Sequence, residues 1–370
     1  MSVVLITGGA GFIGANFIHF LRRHRPDWRL INLDLLTYAG NLENLAPLAG
    51  DPHLTFVKGD VADRDLVAGL FARHPITRVV HFAAETHVDR SILDPGVFVR
   101  TNVLGTCNLL DAAREHWQGT VVGFGSGPRF LQISTDEVYG SLGPQEPPAT
   151  EASAYGPRSP YAASKAGADF LARSYFHTYG LPVLITNCTN NYGPYQFPEK
   201  LIPFCLSQAL EGKPIPIYGR GDNIRDWLYV TDHCRALLLV LEQGAPGETY
   251  NIGGGQEKPN LELVRLLLRV LSELRPELVD LERLITFVPD RPGHDWRYAL
   301  DTGKIEARLG WRPQVTLEQG LRETVSWYLT QAGWLERVRS GAYRDFLRQQ
   351  YGAAVAEGEG RQKAKVKSKK

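Results

Sequence analysis

Val3-Val4-Leu5-Ile6-Thr7-Gly8-Gly9-Ala10-Gly11-Phe12-Ile13-Gly14 is an apolar, β-branched run that passes directly into glycines three residues apart. The run predicts a buried strand, and the glycines open a helix predicted to reach about Arg23. Gly8, Gly11 and Gly14 let the backbone turn tightly and approach a pyrophosphate, whose charge is favoured at a helix N-terminus. Phe12 and Ile13 lie inside the motif and belong to the same cofactor-binding set. A glycine motif alone is weak evidence; strand before it and helix after it give it meaning. A second predicted strand, Arg29 to Asp34, ends in an acid twenty residues beyond Gly14. An acid there accepts from both ribose hydroxyls and repels a 2′-phosphate. No Arg or Lys lies between Asp34 and Lys58, so NAD is expected rather than NADP.

The alternation continues, which predicts an α/β fold: a Rossmann-type doubly wound parallel sheet with a smaller C-terminal α/β substrate-binding domain. Leu54 to Val57 is the third strand, followed by Asp60 and Val61. Asp60 either faces the adenine amino group or caps the helix from Asp63. Arg78 to Ala84 is the fourth strand, and the small Ala83 and Ala84 let backbone come close to the cofactor. His87 and Asp89 lie just past its end, where a substrate sits. A helix over 95–115 carries Thr101 and Asn102. Residues 117–129 are Gly-rich and predict a surface loop.

Phe130 to Ser134 is the fifth strand, and Thr135-Asp136-Glu137 at its end are three groups able to handle protons. Ligands of open α/β sheets lie beyond the carboxyl ends of the strands. Tyr161 and Lys165 are four apart on a helix predicted to run to about Tyr179, so they share a face. An ammonium beside a phenol favours the phenolate, which makes Tyr161 a usable base. The Pro-rich span from Gly143 to Pro160 is irregular and long enough for a mobile or substrate-covering loop.

After a sixth strand, Leu181 to Thr186, the alternation weakens. Residues 187–194 read as a polar loop, Glu199 to Lys213 as a helix, and 214–219 as extended. Asp222 to Trp227 is rich in donors; Asp232 to Gln243 reads as a helix, and Thr249 to Gly253 as a strand returning to the core. Helices are expected near 260–273, 301–309 and 317–332. Lys200, Lys213, Arg225 and Arg291 sit in predicted turns, as candidates to converge on a diphosphate or as solvated charges. The expected division is a dinucleotide-binding domain over 1–187, joined by segments near 220–255, and a substrate domain over 188–335. Arg361 to Lys370 holds six basic residues and no acidic one, so a disordered basic tail is expected over 355–370.

The bulk properties narrow the function. The chain has 370 residues, 43% hydrophobic and 22% charged, with formal net charge +1. That balance advertises neither a nucleic-acid nor a membrane partner. Cys107, Cys188, Cys205 and Cys234 form no CxxC pair, so free thiols in a reducing compartment are expected. The longest apolar run, Ala236 to Leu241, is too short to span a bilayer, and no secretory signal is visible. A cytoplasmic protein with no metal site is the expectation.

The motifs resemble the extended short-chain dehydrogenase/reductases and, within them, the dTDP-glucose 4,6-dehydratases, over about residues 1–330. Thr7 to Gly14 with Tyr161 and Lys165 carry the broad signature. Thr135-Asp136-Glu137 is the sharper mark, because simple epimerases lack the acid pair. The segments His87–Ser91, Asn190–Gln196, Pro198–Pro203, Gly221–Trp227 and Arg291–Asp295 look like the subfamily's nucleotide-sugar segments. Trp296 stands where the subfamily usually has a basic residue, and the 143–160 loop is short for it.

The resemblance implies NAD, with Tyr161, Lys165 and Thr135 oxidising carbon 4 of a nucleotide-diphospho-sugar. Glu137 then removes the carbon-5 proton, and Asp136 protonates the departing carbon-6 hydroxyl. It also implies a substrate set of His87, Thr135, Asn190, Glu199, Lys200, Leu201, Pro216, Tyr218, Arg225, Asn260, Arg291 and His294. A homodimer is implied too, with Leu171, Tyr175 and Phe176 as candidates to meet the partner. The alternatives are a nucleotide-sugar 4-epimerase, which gives Asp136 and Glu137 no task, a dehydratase of a UDP, CDP or GDP sugar, and a non-catalytic NAD sensor.

Overall fold

The computed structural model describes residues 2–118, 127–290 and 293–338. The chain begins β1 (Val3–Thr7), α1 (Phe12–His24), β2 (Arg29–Asp34), β3 (Leu54–Lys58), α2 (Arg64–Arg73) and β4 (Arg78–His81). It continues α3 (Val88–Leu93), α4 (Pro95–Phe98), α5 (Gly105–His116), β5 (Arg129–Thr135), α6 (Pro160–Tyr179) and β6 (Val183–Cys188). Then come β7 (Asn190–Tyr192), α7 (Leu201–Leu210), β8 (Ile215–Tyr218), β9 (Ile224–Tyr229), α8 (Val230–Gln243) and β10 (Thr249–Ile252). The rest is β11 (Glu257–Pro259), α9 (Asn260–Leu274), β12 (Ile285–Val288), α10 (Gly303–Leu309), α11 (Leu317–Thr330) and α12 (Ala332–Val338).

Seven strands form one parallel sheet in the order β10-β6-β5-β4-β1-β2-β3. Side chains alternate between its faces, and both faces are covered. Val3 and Leu5 pack with Val79 and Phe130 under α2, α5 and α6. Val4 and Ile6 pack with Val80, Leu131 and Leu184 under α1 and α8. A strand buried on both faces reads as a continuous apolar run, as Val3 to Ile6 does. Each fully buried Leu or Ile contributes about 1.5–3 kcal/mol. The strand order turns back between β1 and β4, and a groove opens at such a reversal, beyond the carboxyl ends.

A second core gathers α7, α9, α11 and α12 around Ile215, Ile217, Trp227 and Tyr229. Two small sheets, β11-β9-β7 and β12-β8, flank it. Among the described residues no helix is long and apolar enough to cross a membrane, and no His, Cys, Asp and Glu cluster suits a metal ion.

The structure corrects several sequence expectations. The fourth strand stops at His81, and residues 82–87 are loop. The helix expected over 95–115 is interrupted by a π-helical turn, Val99–Leu104, and preceded by α3. The polar loop 187–194 contains β7, and the donor-rich 222–227 segment is largely β9. The helix expected over 317–332 ends at Thr330, and α12 follows it. The 143–160 span is braced rather than loose. Leu142 and Ala149 bridge to Arg297 and Leu300, and the Glu151 carboxylate accepts from the Asn251 N–H at 2.8 Å. The basic tail and most of the Gly-rich loop, residues 119–126, lie outside the described residues.

Candidate active site

The β1–α1 turn forms the floor of the groove. Gly8 has φ +70°, and a Cβ there would sit 2.6 Å from the Ala83 backbone nitrogen. A Cβ on Gly14 would sit 2.3 Å from the Gly8 carbonyl oxygen. Backbone therefore packs on backbone, which only glycine permits. The first turn of α1 has neither a capping side chain nor an acid, so its N–H groups suit an anion. Asp34 ends β2, where its carboxylate accepts from the N–H groups of Ala10 at 2.9 Å and Leu36 at 2.8 Å. Burial pushes its pKa upward. Phe12, Ile13, Val61, Ala83, Ala84 and Thr101 line the same groove. These features fit a dinucleotide. Asp60 also lines it, bonded to the Ala62 N–H and paired with Arg100. The cap of α2 is Asp63, not Asp60.

The reactive half lies at the end of β5. Thr135 is its last residue, and Asp136 and Glu137 begin a 3₁₀ turn that continues to Tyr139. Opposite them, Ser159 caps α6 by accepting from the Ala162 N–H at 3.1 Å, with Pro160 in the first turn. That start sets Tyr161 and Lys165 on the buried face. Thr135, Asp136, Glu137, Tyr161 and Lys165 all line the groove. The Thr135 hydroxyl bonds Asp136 Oδ1 at 3.1 Å and accepts from the Glu137 N–H at 3.3 Å, and it also meets the Tyr161 hydroxyl. Asp136 Oδ2 is buried without a hydrogen-bond partner. Burial first, then the charge of Glu137, holds the Asp136 carboxyl far above the usual carboxylate range.

One electrostatic expectation is overturned. Lys165 does not lower the pKa of Tyr161 in the protein alone: burial and the charge of Glu137 push it well up. The Lys165 ammonium donates to the Ile133 carbonyl at 2.7 Å. Four-residue spacing puts two side chains on one face but does not aim them at each other.

Most of the candidate substrate residues fall into two groups. Asn190, Glu199 and Lys200 line the groove. Glu199 is already engaged, pairing with Arg90 at 3.5 Å and meeting Tyr38. Lys200 donates to the Thr86 carbonyl at 3.2 Å. Pro216, Tyr218, Arg225, Asn260 and His294 cluster beside the second core. Tyr218 meets the His294 ring, the Asn260 N–H donates to the Asn223 carbonyl at 3.0 Å, and Arg225 donates to the Asp295 carbonyl at 3.0 Å. Arg225 still acts on Asp136 through its charge, so this cluster borders the reactive half. Leu201 packs into the second core instead, and His87 is a buried residue at the start of α3. Of the four basic groups, Lys213 pairs with Glu211, and Arg291 lies outside the described residues.

Sequence reading missed Cys188 and Tyr298. Cys188 ends β6 beside Thr135 and lines the groove, with its thiol pushed up to about 12 by burial. The strand-end rule that selected Thr135 would have found it. Tyr298 feels the charge of Glu137 and stacks under the Arg225 guanidinium at 4.4 Å. It comes from a distant irregular segment, and no local pattern marks it.

The family model described as GDP-mannose 4,6 dehydratase matches residues 5–324. The dTDP-glucose 4,6-dehydratase of Xanthomonas campestris pv. campestris (strain B100) is 52% identical over 346 residues, 93% of this chain and 98% of that one. The dTDP-glucose 4,6-dehydratase 1 of Escherichia coli K12 is 50% identical over 356 residues, 94% of this chain and 98% of that one. Among solved structures, a dTDP-glucose 4,6-dehydratase of Streptomyces venezuelae with NAD bound superposes with a TM-score of 0.83. It is 49% identical and covers 91% of this chain and 99% of that one. A UDP-glucose 4-epimerase of Thermotoga maritima shares the fold at a TM-score of 0.79, but at 28% identity; the match covers 89% of this chain and 99% of that one. On motifs, fold and relatedness over nearly its whole described length, the chain belongs to the dTDP-glucose 4,6-dehydratase family of extended short-chain dehydrogenase/reductases.

Proposed function

We propose that the protein is a hydro-lyase that removes water from a nucleotide-diphospho-glucose, dTDP-glucose above others, to give the 4-keto-6-deoxy sugar. The observation that carries this is a buried carboxyl, Asp136, with one oxygen unpartnered and its neutral form favoured by burial, next to a second acid, Glu137, in one groove with Tyr161. An epimerase would leave both acids idle. The relatives at about half identity are dehydratases, which supports the same choice.

The groove between β1, β2 and β4 suits NAD, with Asp34 facing the adenosine ribose and the glycine turn beneath the pyrophosphate. NAD bound there supplies the redox capacity, holding the hydrogen that carbon 4 loses until carbon 6 receives it, and, when oxidised, a positive charge in the site. Tyr161 takes the proton from the carbon-4 hydroxyl. Thr135 has one hydroxyl proton and two neighbours that can accept it, so it can turn from Asp136 to Tyr161 and steady the phenolate that takes the carbon-4 proton. Once carbon 4 is a ketone, Glu137 removes the acidified carbon-5 proton. Asp136 gives its proton to the departing carbon-6 hydroxyl, and water leaves. Positioned acids and bases of this kind contribute about 10²–10⁴-fold each.

The second core, with Tyr218, Arg225, Asn260 and His294, is proposed to hold the nucleotide diphosphate, making residues 188–335 the substrate domain. A homodimer is part of the proposal, but through other residues than expected. Tyr175 is buried, and Leu171 and Phe176 pack on the core beneath the sheet. Ile92, Leu93, Val97, Val99, Leu104, Phe170 and Tyr179 are the exposed apolar side chains of the neighbouring helices. Four free thiols, three of them buried, support a cytoplasmic setting. The test is incubation with dTDP-glucose and mass and NMR analysis of the product. A 4-keto-6-deoxy sugar is expected; an epimer, or unchanged substrate across a panel of nucleotide-glucoses, would overturn the proposal.

A further inference from the structure

Tyr161, Lys165 and Asp169 follow one another at four-residue intervals on the buried face of α6. Asp169 has no exposed surface at all, and Lys165 is 4% exposed. Side chains so spaced on a helix have Cβ atoms about 5–6 Å apart. The Asp169 Oδ2 accepts from the Ser134 hydroxyl at 2.6 Å and the Tyr155 hydroxyl at 3.1 Å. Its Oδ1 is buried with no hydrogen-bond partner. The carboxylate is therefore held by β5 and by the braced 143–160 span, yet it spends no direct bond on Lys165. A buried charge acts strongly across such a distance because the interior screens it little. The charged or titratable groups around the pair are Arg173 on α6, Tyr155 on the 143–160 span, Tyr139 on the 3₁₀ turn, Cys188 on β6 and His81 on β4, which is buried and held neutral by burial and by the Lys165 charge.

Resting on the dehydratase chemistry proposed above, we propose that Asp169 is a positioning residue. It is the buried counter-charge that keeps Lys165 an ammonium at the Ile133 carbonyl, one hydrogen bond away from the strand end that carries Thr135, Asp136 and Glu137. An ammonium with no water around it is expensive to hold unless an opposite charge is fixed nearby. Burial lowers the Lys165 pKa, and Asp169 is the first group opposing that loss. Asp169 itself is raised to about 6 by burial, so it is ionised at neutral pH. Ser134 immediately precedes Thr135, so the Ser134–Asp169 bond also fixes the register of the reactive turn against α6.

Asp169→Asn keeps the shape and the acceptor for Ser134 but removes the charge. Its pH–rate profile should lose activity at an alkaline pH on the order of one unit below that of the wild type. Tyr155→Phe removes a hydrogen bond from the same carboxylate but leaves its charge, and its alkaline limb should stay in place. Equal movement of both limbs, or movement of neither, overturns the proposal. A second measurement needs no substrate. Thermal unfolding of Asp169→Asn, Lys165→Met and the double variant forms a cycle in which coupled residues do not add. Asp169→Asn alone should be destabilised or unfolded, and adding Lys165→Met should restore much of the loss. Additive losses, or a double variant as unstable as Asp169→Asn, overturn the counter-charge. If the sugar proves to be a different one, the unfolding cycle still stands. If dehydration is measured and the cycle shows no coupling, only the role of Asp169 falls.

Discussion

Asp136→Asn should separate catalysis from stability in opposite directions. The side chain keeps its size, and the amide oxygen can still accept from the Thr135 hydroxyl. What disappears is the acidic proton that burial favours on the carboxyl, one of whose oxygens is buried without a partner. An amide can donate a hydrogen bond but cannot surrender a proton to a leaving hydroxyl. Turnover should fall about 10²–10⁴-fold, the contribution of one general acid. That is about 3–5 kcal/mol of barrier at 1.36 kcal/mol per tenfold. Exchange of the carbon-5 proton with solvent deuterium should survive, because Glu137 is untouched.

Stability should move the other way. The native pKa of Asp136 lies above its unfolded value of about 3.9, so its stabilising share is complete below that pH. The share is lost as pH rises through the native value, because the unfolded chain ionises and gains while the buried group does not. Asn escapes that loss. Urea unfolding should show the variant more stable than wild type at pH 7, with the gain vanishing towards pH 4. Near-normal turnover would refute the general acid. Lower stability at pH 7 would refute a carboxyl kept protonated by burial.

Glu137→Gln should block uptake of deuterium at carbon 5 by roughly 10²–10⁴-fold; normal uptake would make Glu137 a structural acid. Gly14→Ala puts a Cβ 2.3 Å from the Gly8 carbonyl and 2.8 Å from Gly9 Cα, both rigid backbone. The variant should purify without NAD or melt well below the wild type, and unchanged NAD content with unchanged melting would remove the close turn from the account. Leu93→Glu places a charge on a side chain that is 67% exposed in the apolar helix group. Light scattering should show two chains for the wild type and one for the variant; a one-chain wild type would sink the dimer.

The elements legible in the sequence are those whose burial is two-sided or whose caps are chemical. β1, β2 and β5 are buried along nearly their whole length and carry the apolar pairs Val3-Val4, Leu30-Ile31 and Phe130-Leu131, and α6 is announced by Ser159 and Pro160. β9 was hidden because Arg225 and Asp226 look like surface residues. Both are buried, and the Asp226 carboxylate takes the N–H groups of Gly254 and Gln256. No local pattern encodes a partner thirty residues away. The same holds for Tyr298, which comes near Glu137 only through the fold. The 143–160 span looked loose because its sequence is irregular, yet Ala149 and Glu151 tie it to strands formed much later in the chain. The Tyr161–Lys165 pair shows the converse limit: spacing reveals a shared face, while pKa depends on everything else packed against that face.

The order in which the sheet's strands leave the ribosome has a consequence for biosynthesis. β6 ends at Cys188, but its outer neighbour β10 starts only at Thr249, about sixty residues later. At about 5–20 residues per second, the open edge of β6 waits several seconds for its partner. During that wait it presents Val183 to Cys188, all buried in the finished protein, as a bare hydrogen-bonding edge. Synthesis that stalls before β10 has emerged therefore prolongs the time for which this edge is open to pairing with another chain.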